Sequence, residues 1–474
     1  MTVSQPQKTN MSQLAMQPHS EIHTPLDKLF PLPLSPVEKF MLADGRSQYP
    51  MMCDIEVHVQ GTIQRGPFEE ALAFAVQRAP LFQSVVQNDK KLGLVWQLTD
   101  RMPEVEWDEF GVPCLTGYDN YVDLFQELGL RIYVRSGSER SSFLLHFHHA
   151  TSDGVGSIAF VEDLLTAYHN ATPGTKFVKP RKWEPERLLN RCNSALKNPG
   201  WKRGLYDVYC GIYGASNFFM QRPLPLTDKR SPLGDDAMRQ QNGHITKAVS
   251  PEATLAMRKW TSARKVTVND VLLRDLFVTL NDWMSNQGID IGSRYLRILM
   301  PQSLRGRGDG AMPTTNDIGF AFLARRGNMI RKPDELLESL VPETAAIRKD
   351  NLSRHFIGGL AAVQTLGLLP SLLNGSSCFS TAVLTNFGNS WRRFQAKLPP
   401  TDGGLTAGNL VYDGLTGTPP CRPNTAAAFC VCTSADQIFV SLKHDPFHFT
   451  LDESHKLLSS YIDQITRSAD GPSA

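Results

Sequence analysis

The stretch Phe143-Leu-Leu-His-Phe-His-His149-Ala-Thr-Ser-Asp-Gly154 decides how this chain is read. Ser142 to His149 reads as a β-strand that delivers His149 to its carboxyl end. A tight turn follows, in which Gly154 supplies backbone freedom closed to other residues. An amphipathic helix then runs from Gly154 to His169, with Val155, Ile158, Val161, Leu164, Leu165 and Tyr168 on its inner face. Residues at strand-to-helix turns face a crevice, which suits a catalytic group. A neutral imidazole takes a proton from a hydroxyl or an amine near neutral pH, which makes His149 the candidate general base. Asp153 either braces the turn or holds a distant Arg, and it need not touch the histidine.

Blander readings of the same residues compete. His146, His148 and His149 lack a carboxylate or third ligand at a familiar metal spacing, so no metal is expected. Gly154-Val-Gly-Ser-Ile-Ala159 mimics a dinucleotide fingerprint, but no second apolar strand ending in an acid follows within 25 residues, and that reading is rejected. A buried structural histidine is the ordinary fate of each His taken alone. Adjacent His148 and His149 at a strand end, followed by Asp-Gly, shift the balance towards chemistry.

Outward from this unit the chain alternates strand and helix. Ser35-Pro36 opens a short helix, with Ser as N-cap and Pro at its first position. Ile55, Val57 and Val59 mark a strand, Phe68 to Arg78 a helix, and Phe82 to Leu98 a hairpin turning at Asn88-Asp-Lys-Lys91. Leu130 to Val134 is a further strand. Thr172 to Asp236, rich in Pro, Lys and Arg, reads as a connector, with part of it helical. In the second half, helices are expected over Pro251 to Lys265, Val268 to Gln287 and Pro333 to Asp350, the last kinked at Pro342. Strands are expected at Leu296 to Met300, Ile318 to Leu323, Ser380 to Leu384, Ala426 to Cys432 and Gln437 to Leu442. Thr450-Leu-Asp-Glu453 is a capping box for a closing helix to about Arg467.

His148-His149-x-x-x-Asp153-Gly154 is the signature of the CoA-dependent acyltransferase superfamily, which this chain resembles. That superfamily includes chloramphenicol acetyltransferase, plant alcohol acyltransferases, wax ester synthases, polyketide-associated acyltransferases and nonribosomal peptide condensation domains. The resemblance extends to Leu34-Ser-Pro-Val-Glu-Lys39, Thr267-Val-Asn-Asp-Val-Leu-Leu273, Pro301 to Arg305, Asn316-Asp-Ile-Gly319, Leu384-Thr-Asn-Phe-Gly388 and Gln437 to Asp445. Together these cover about residues 30 to 467. Thr385-Asn-Phe-Gly-Asn389 stands where plant enzymes carry D-F-G-W-G, which argues against the plant branch.

The resemblance implies an α/β (α+β two-layer sandwich) fold of two chloramphenicol-acetyltransferase-like domains in series, with the active site in a tunnel between them. The expected division is a disordered tail over 1–30, a domain with the motif and connector over 31–235, and a second domain over 236–474. His149 carries over as general base, and His148, Asp153, Gly154, Arg305 and Asn386 as supporting residues, with Arg305 as the candidate partner of Asp153. The implied reaction moves an acyl group from acyl-CoA, a co-substrate and not a bound cofactor, to a small-molecule alcohol or amine. The alternatives are a condensation-type enzyme fed by the phosphopantetheine of a separate carrier protein, and a non-catalytic binding member. No G-x-S-x-G nucleophile elbow occurs, in keeping with a mechanism without an acyl-enzyme.

Composition bounds the partners. With 41% apolar and 20% charged residues the chain is globular, and 49 Lys plus Arg against 47 Asp plus Glu leave no field to attract nucleic acid. Eight cysteines form no C-x-x-C; Cys430 and Cys432, on one strand face, read as small core residues. Met1 to Thr24 has no apolar stretch for a signal peptide, and a cytoplasmic monomer is expected. Phe356 to Trp391 carries no Asp, Glu, Lys or Arg, yet its apolar part is short and broken by Gly and Pro. It reads as a buried helix or pocket wall, and no transmembrane segment is expected. Arg305, Arg307, Arg325, Arg326 and Arg331, with Arg348 and Lys349, are either a cluster for CoA phosphates or a solvated face, and the solvated face is the preferred reading.

Overall fold

The computed structural model describes residues 25–114, 116, 120–192, 201–231, 244–306, 308–374, 377–401 and 404–469. Most of the expected amino-terminal tail and Arg307 lie outside them. The first half runs β1 (Leu32–Pro33), α1 (Pro36–Asp44), β2 (Met52–Gln60), α2 (Arg65–Gln77), β3 (Ser84–Asp89), β4 (Gly93–Leu98), β5 (Glu104–Glu109), β6 (Leu130–Ser136), β7 (Arg140–His148), α3 (Gly154–Ala171) and α4 (Trp201–Met220). The second runs β8 (His244–Ala248), α5 (Pro251–Arg264), α6 (Val268–Asn286), β9 (Tyr295–Ser303), β10 (Ile318–Arg326), α7 (Pro333–Asp350), α8 (Arg354–Thr365), β11 (Ala382–Asn389), β12 (Pro400–Thr401), β13 (Gly404–Ala407), β14 (Leu410–Thr418), β15 (Ala427–Ser434), β16 (Gln437–His444) and α9 (Leu451–Ala469).

Local chemistry sets the helix starts. Ser35 and Glu38 close a capping box on α1, and Thr267 and Asp270 do the same on α6, each satisfying amides that a helix end leaves unpaired. Helix α7 continues through Pro342 and ends at Asn351 in the left-handed conformation.

Among the described residues the strands form a seven-stranded sheet ordered β12-β13-β14-β2-β7-β6-β5, a six-stranded sheet ordered β10-β9-β11-β15-β16-β8, and a small sheet β1-β4-β3. Ile55, Val57 and Val59 of β2 and Phe143, Leu145 and Phe147 of β7 bury one face of the large sheet against α2 and α3. The second core gathers Leu276, Ile298, Leu384, Phe429, Val440 and Leu457. A third cluster joins the halves: Val37, Met41, Met52 and Ala150 meet Leu304, Ile318, Phe320, Ile357 and Leu360.

Several strands escaped the sequence pattern, β5 and β14 among them. Acid-rich β5 is a half-exposed edge strand parallel to β6. Strand β14, deep in the second half of the sequence, pairs antiparallel with β2, so β12, β13 and β14 extend the sheet of the first half. Its glycines hid it from pattern and are required by packing. A Cβ on Gly417 would stand 2.7 Å from the Asp54 carbonyl and 2.8 Å from the Phe387 ring. Cys430 and Cys432 are buried free thiols, with sulfurs 3.8 Å apart. The uncharged run is only half buried: Ile357 and Leu360 of α8 face inward, while Gly358, Gly359 and Ala362 are exposed. Among the described residues, no helix is long and apolar enough to cross a membrane.

Candidate active site

Strand β7 ends at His148, and backbone bonds hold the exit of the strand on both sides. The His148 amide donates to the Gly129 carbonyl (2.9 Å) and the His149 amide to that of Met51 (2.7 Å). The adjacent histidines then part in role. The Nδ1 of His148 accepts from the Ala150 amide (3.1 Å), which places its proton on Nε2. Burial, with His149 and His146 nearby, pushes His148 down to about 3, so it is a neutral structural ring.

The Nδ1 of His149 lies 2.9 Å from the Ser152 carbonyl. A carbonyl only accepts, so Nδ1 carries the proton and Nε2 keeps the lone pair. No side chain among the described residues is bonded to Nε2. The residue is 9% exposed. Burial lowers its pKa, opposed by the Ser152 bond and the Asp153 charge. A neutral imidazole with a fixed tautomer and a free basic nitrogen results.

Asp153 anchors the turn. Its Oδ1 accepts from the Gly156 amide (2.8 Å), capping α3. Its Oδ2 accepts from Arg305 Nη1 (2.6 Å) and from the Asp317 amide (2.7 Å). The carboxylate is 2% exposed and the guanidinium 11%. Arg305 also donates to the Thr315 carbonyl (2.7 Å). One carboxylate thus ties the helix start of the first half to the segment between β9 and β10 of the second.

Asn316 completes the tie. Its Nδ2 donates to the carbonyls of His149 (2.6 Å) and Ala150 (2.9 Å). The sequence pattern contained Asn316 within Asn-x-x-Gly without giving it this task. Beside it, Asp317 is wholly buried, its Oδ1 accepting from the Cys192 amide (3.2 Å) and its Oδ2 without a partner among the described residues. Burial pushes its carboxyl up to about 6 despite Arg305, and the Asp153 charge adds to the rise.

Gly154 corrects the sequence argument. It is the first residue of α3 and does not have a positive φ, so backbone freedom is not what it supplies. A Cβ there would stand 2.3 Å from Cε1 of Phe387. The position needs glycine because the ring of Phe387, on β11, lies against it. Asn386, its neighbour, is exposed; its Nδ2 is 3.4 Å from Asn269 Oδ1 and its Oδ1 accepts from the Gly388 amide (2.8 Å). The structure therefore brings Phe387, and not Asn386, against the histidine turn.

The other histidine of the strand is committed elsewhere. His146 Nδ1 is 2.6 Å from Asp54 Oδ1, and Lys443 and Thr418 reach the other oxygen. Burial alone would raise Asp54; Lys443 and His146 hold it well below the usual carboxylate range. The arginines of the candidate phosphate cluster disperse into pairs: Arg325 with Glu343, Arg331 with Asp290, and Arg326 with the Tyr295 hydroxyl.

The paired sheets, with the histidine turn between them, form a fold that is also found in condensation domains and in an acetyltransferase. The condensation domain of the monacolin K polyketide synthase MokA is 14% identical, with a TM-score of 0.64, and the match covers 93% of this chain and 97% of that one. The TRI3 trichothecene 15-O-acetyltransferase from Fusarium sporotrichioides is 12% identical, with a TM-score of 0.66, covering 91% and 94%. The starter condensation domain of rhizomide synthetase RzmA, solved with C8-CoA and Leu-SNAC, is 14% identical, with a TM-score of 0.63, covering 92% and 94%. At these identities the likeness establishes the fold. No family model matches the sequence. A linear gramicidin synthase polypeptide of Brevibacillus parabrevis is 24% identical over 163 residues, which are 33% of this chain and 3% of that far longer protein.

Proposed function

We propose that this protein is an acyltransferase that moves an acyl group from a thioester to a hydroxyl or amine, with His149 as general base. The observation that carries the reading is the state of His149: neutral through burial, its Nδ1 proton fixed on the Ser152 carbonyl, its Nε2 free of protein partners among the described residues. The acceptor hydroxyl or amine gives its proton to Nε2 as its oxygen or nitrogen bonds to the thioester carbonyl carbon. The tetrahedral intermediate collapses, the carbon–sulfur bond breaks, and the imidazolium returns the proton to the leaving thiolate. General-base catalysis contributes about 10²–10⁴-fold, and holding both substrates in one site contributes much of the rest. Asp153, Arg305 and Asn316 are positioning residues that keep the turn at one place relative to the second half.

Acyl-CoA is the donor we favour, and the fold shared with an acetyltransferase and with a domain solved with C8-CoA supports it. Likeness to condensation domains over 93% of the chain favours a second reading, with the thioester carried on the phosphopantetheine of a separate carrier protein. Cytoplasmic location and monomeric action remain part of the proposal.

The test is thiol release from acyl-CoAs of rising chain length, with a mixed pool of alcohols and amines, comparing the wild type with His149→Ala. Acceptor-dependent release that the variant loses, with its fold intact, is the expected result. Undiminished activity in the variant would refute the general base. Silence with CoA but turnover with an acylated carrier protein would select the second reading.

A further inference from the structure

A cavity of about 230 Å³ lies on the face of the large sheet turned away from α2 and α3, and the acyl-transfer chemistry leaves it unused. The sheet contributes Glu56 of β2, Arg135 of β6, and Ser142 and Leu144 of β7, which alternate with the core-facing residues of the same strands. The chain after β5, from Phe110 to Cys114, and His244 at the start of β8 complete the lining. Leu144 precedes His149 by five residues, roughly 17 Å along a strand. The buried network of His146, Asp54 and Lys443 occupies the interval. The cavity is thus separate from the histidine turn.

The charges around it do not cancel. Arg135, 3% exposed, is fully committed: it donates to Glu106 (2.5 Å) and to the carbonyls of Val112 (2.9 Å) and Pro113 (3.3 Å). Lys443 and His146 are committed to Asp54. Glu56 has no such partner. Its carboxylate accepts no hydrogen bond among the described residues, and its one ion contact there is His58, at 4.0 Å. That ring's Nε2 is already 3.3 Å from the Thr416 hydroxyl. The hydroxyl of Ser142, a residue 3% exposed, is also unbonded among the described residues. His244 Nδ1 is buried without a hydrogen bond, 3.8 Å from Asp54 Oδ2. Burial lowers the His244 pKa against the pull of Asp54, so the ring is neutral. Burial pushes the Cys114 thiol up to about 11, so the cavity holds no ready nucleophile. A few uncommitted polar groups among apolar side chains are the pattern of a small-molecule site.

We propose that this cavity binds a small organic cation, a primary amine with an apolar body, whose ammonium meets Glu56 and whose body lies against Phe110, Val112 and Leu144. An unpaired carboxylate with a hydroxyl and an aromatic ring beside it suits an ammonium group. An anion would meet Glu56 with like charge, and a divalent metal would call for further oxygen ligands. The volume equals that of about eight liquid waters and falls below the usual range for drug-sized ligands, which fits a molecule of about ten heavy atoms. The proposal is independent of the acyl-transfer reading.

The test is isothermal titration calorimetry of the full chain with 2-phenylethylamine, with 2-phenylethanol as the neutral counterpart and phenylacetate as the anionic one. Glu56→Gln removes the charge, Val112→Trp fills the cavity from a partly exposed position, and circular dichroism checks that each folds. The expected result is that the amine binds at least about tenfold more tightly than the alcohol and that phenylacetate does not bind. Glu56→Gln should weaken the amine at least about tenfold and leave the alcohol unchanged, and Val112→Trp should abolish binding of both. His149→Ala should leave amine binding intact. No heat from the amine, equal affinity for amine and alcohol, or amine binding that survives Glu56→Gln or Val112→Trp overturns the proposal. Amine binding lost only in His149→Ala also overturns it, because it assigns the amine to the histidine turn.

Discussion

Removing Arg305 strips Asp153 of its cation while leaving the carboxylate buried, 2% exposed, with two backbone amides as partners. Breaking a buried pair from one side costs on the order of 3–5 kcal/mol, because the remaining charge is uncompensated. Arg305→Ala also leaves the Thr315 carbonyl with only the Asp153 amide, at 3.4 Å, as a donor among the described residues. Asp153→Asn retains an N-cap oxygen for α3 but turns an amide towards two donors, and should cost about 3 kcal/mol. In the double variant neither charge is stranded, so the two costs should fall short of additivity by about 2 kcal/mol. The effect has a pH signature. Without Arg305, the Asp317 carboxyl, already raised by burial, loses the charge that opposes the rise and is held still higher in the folded than in the unfolded chain. The folded state then binds more protons, and its stability is lost as pH rises through the folded pKa. The deficit of Arg305→Ala should accordingly be largest near pH 7.5 and shrink towards about pH 5. Urea unfolding of the four proteins at both pH values reads every quantity. Single-variant costs below about 1 kcal/mol, or strict additivity, would refute the lock between the halves.

Three further outcomes follow from the site. Gly154→Ala should cost about 1–3 kcal/mol through the clash with Phe387, and most of that cost should vanish in a Phe387→Ala background; an equal cost in both backgrounds refutes the close-approach argument. Asp317→Asn should stabilise the protein above pH 6 by on the order of 2 kcal/mol, since a carboxyl held up at about 6 is costly once ionised, and the gain should fade by about pH 4, which thermal melts across pH will read. Burial lowers His149, so the neutral base persists below the ordinary imidazole range; the acid limb of kcat/KM should lie below about 6.5, and a limb above that value refutes the assignment.

Much of the site was legible because its chemistry is local. Ser142 to Gly154 spells strand, turn and helix start in consecutive residues, and the structure realises them as β7, the turn and α3. The Asp153–Arg305 pair, 152 residues apart, was named through a resemblance to known proteins, since no periodicity reaches that far. Asn386 was singled out by the same resemblance, yet its contacts lie with Asn269 and Gly388.

By itself the sequence determined the alternation of strand and helix, the capped helix starts and a histidine delivered to the end of a strand, because hydrophobic period and capping act over a few residues. Tertiary structure alone decided the rest. It placed β14 against β2, though hydrogen-bonding edges carry no sequence code for a distant partner. It gave Gly154 its reason in Phe387, and it seated Asn316 on the His149 carbonyl. It also fixed the tautomer of His149, since which nitrogen holds the proton depends on a carbonyl positioned only once the turn has folded.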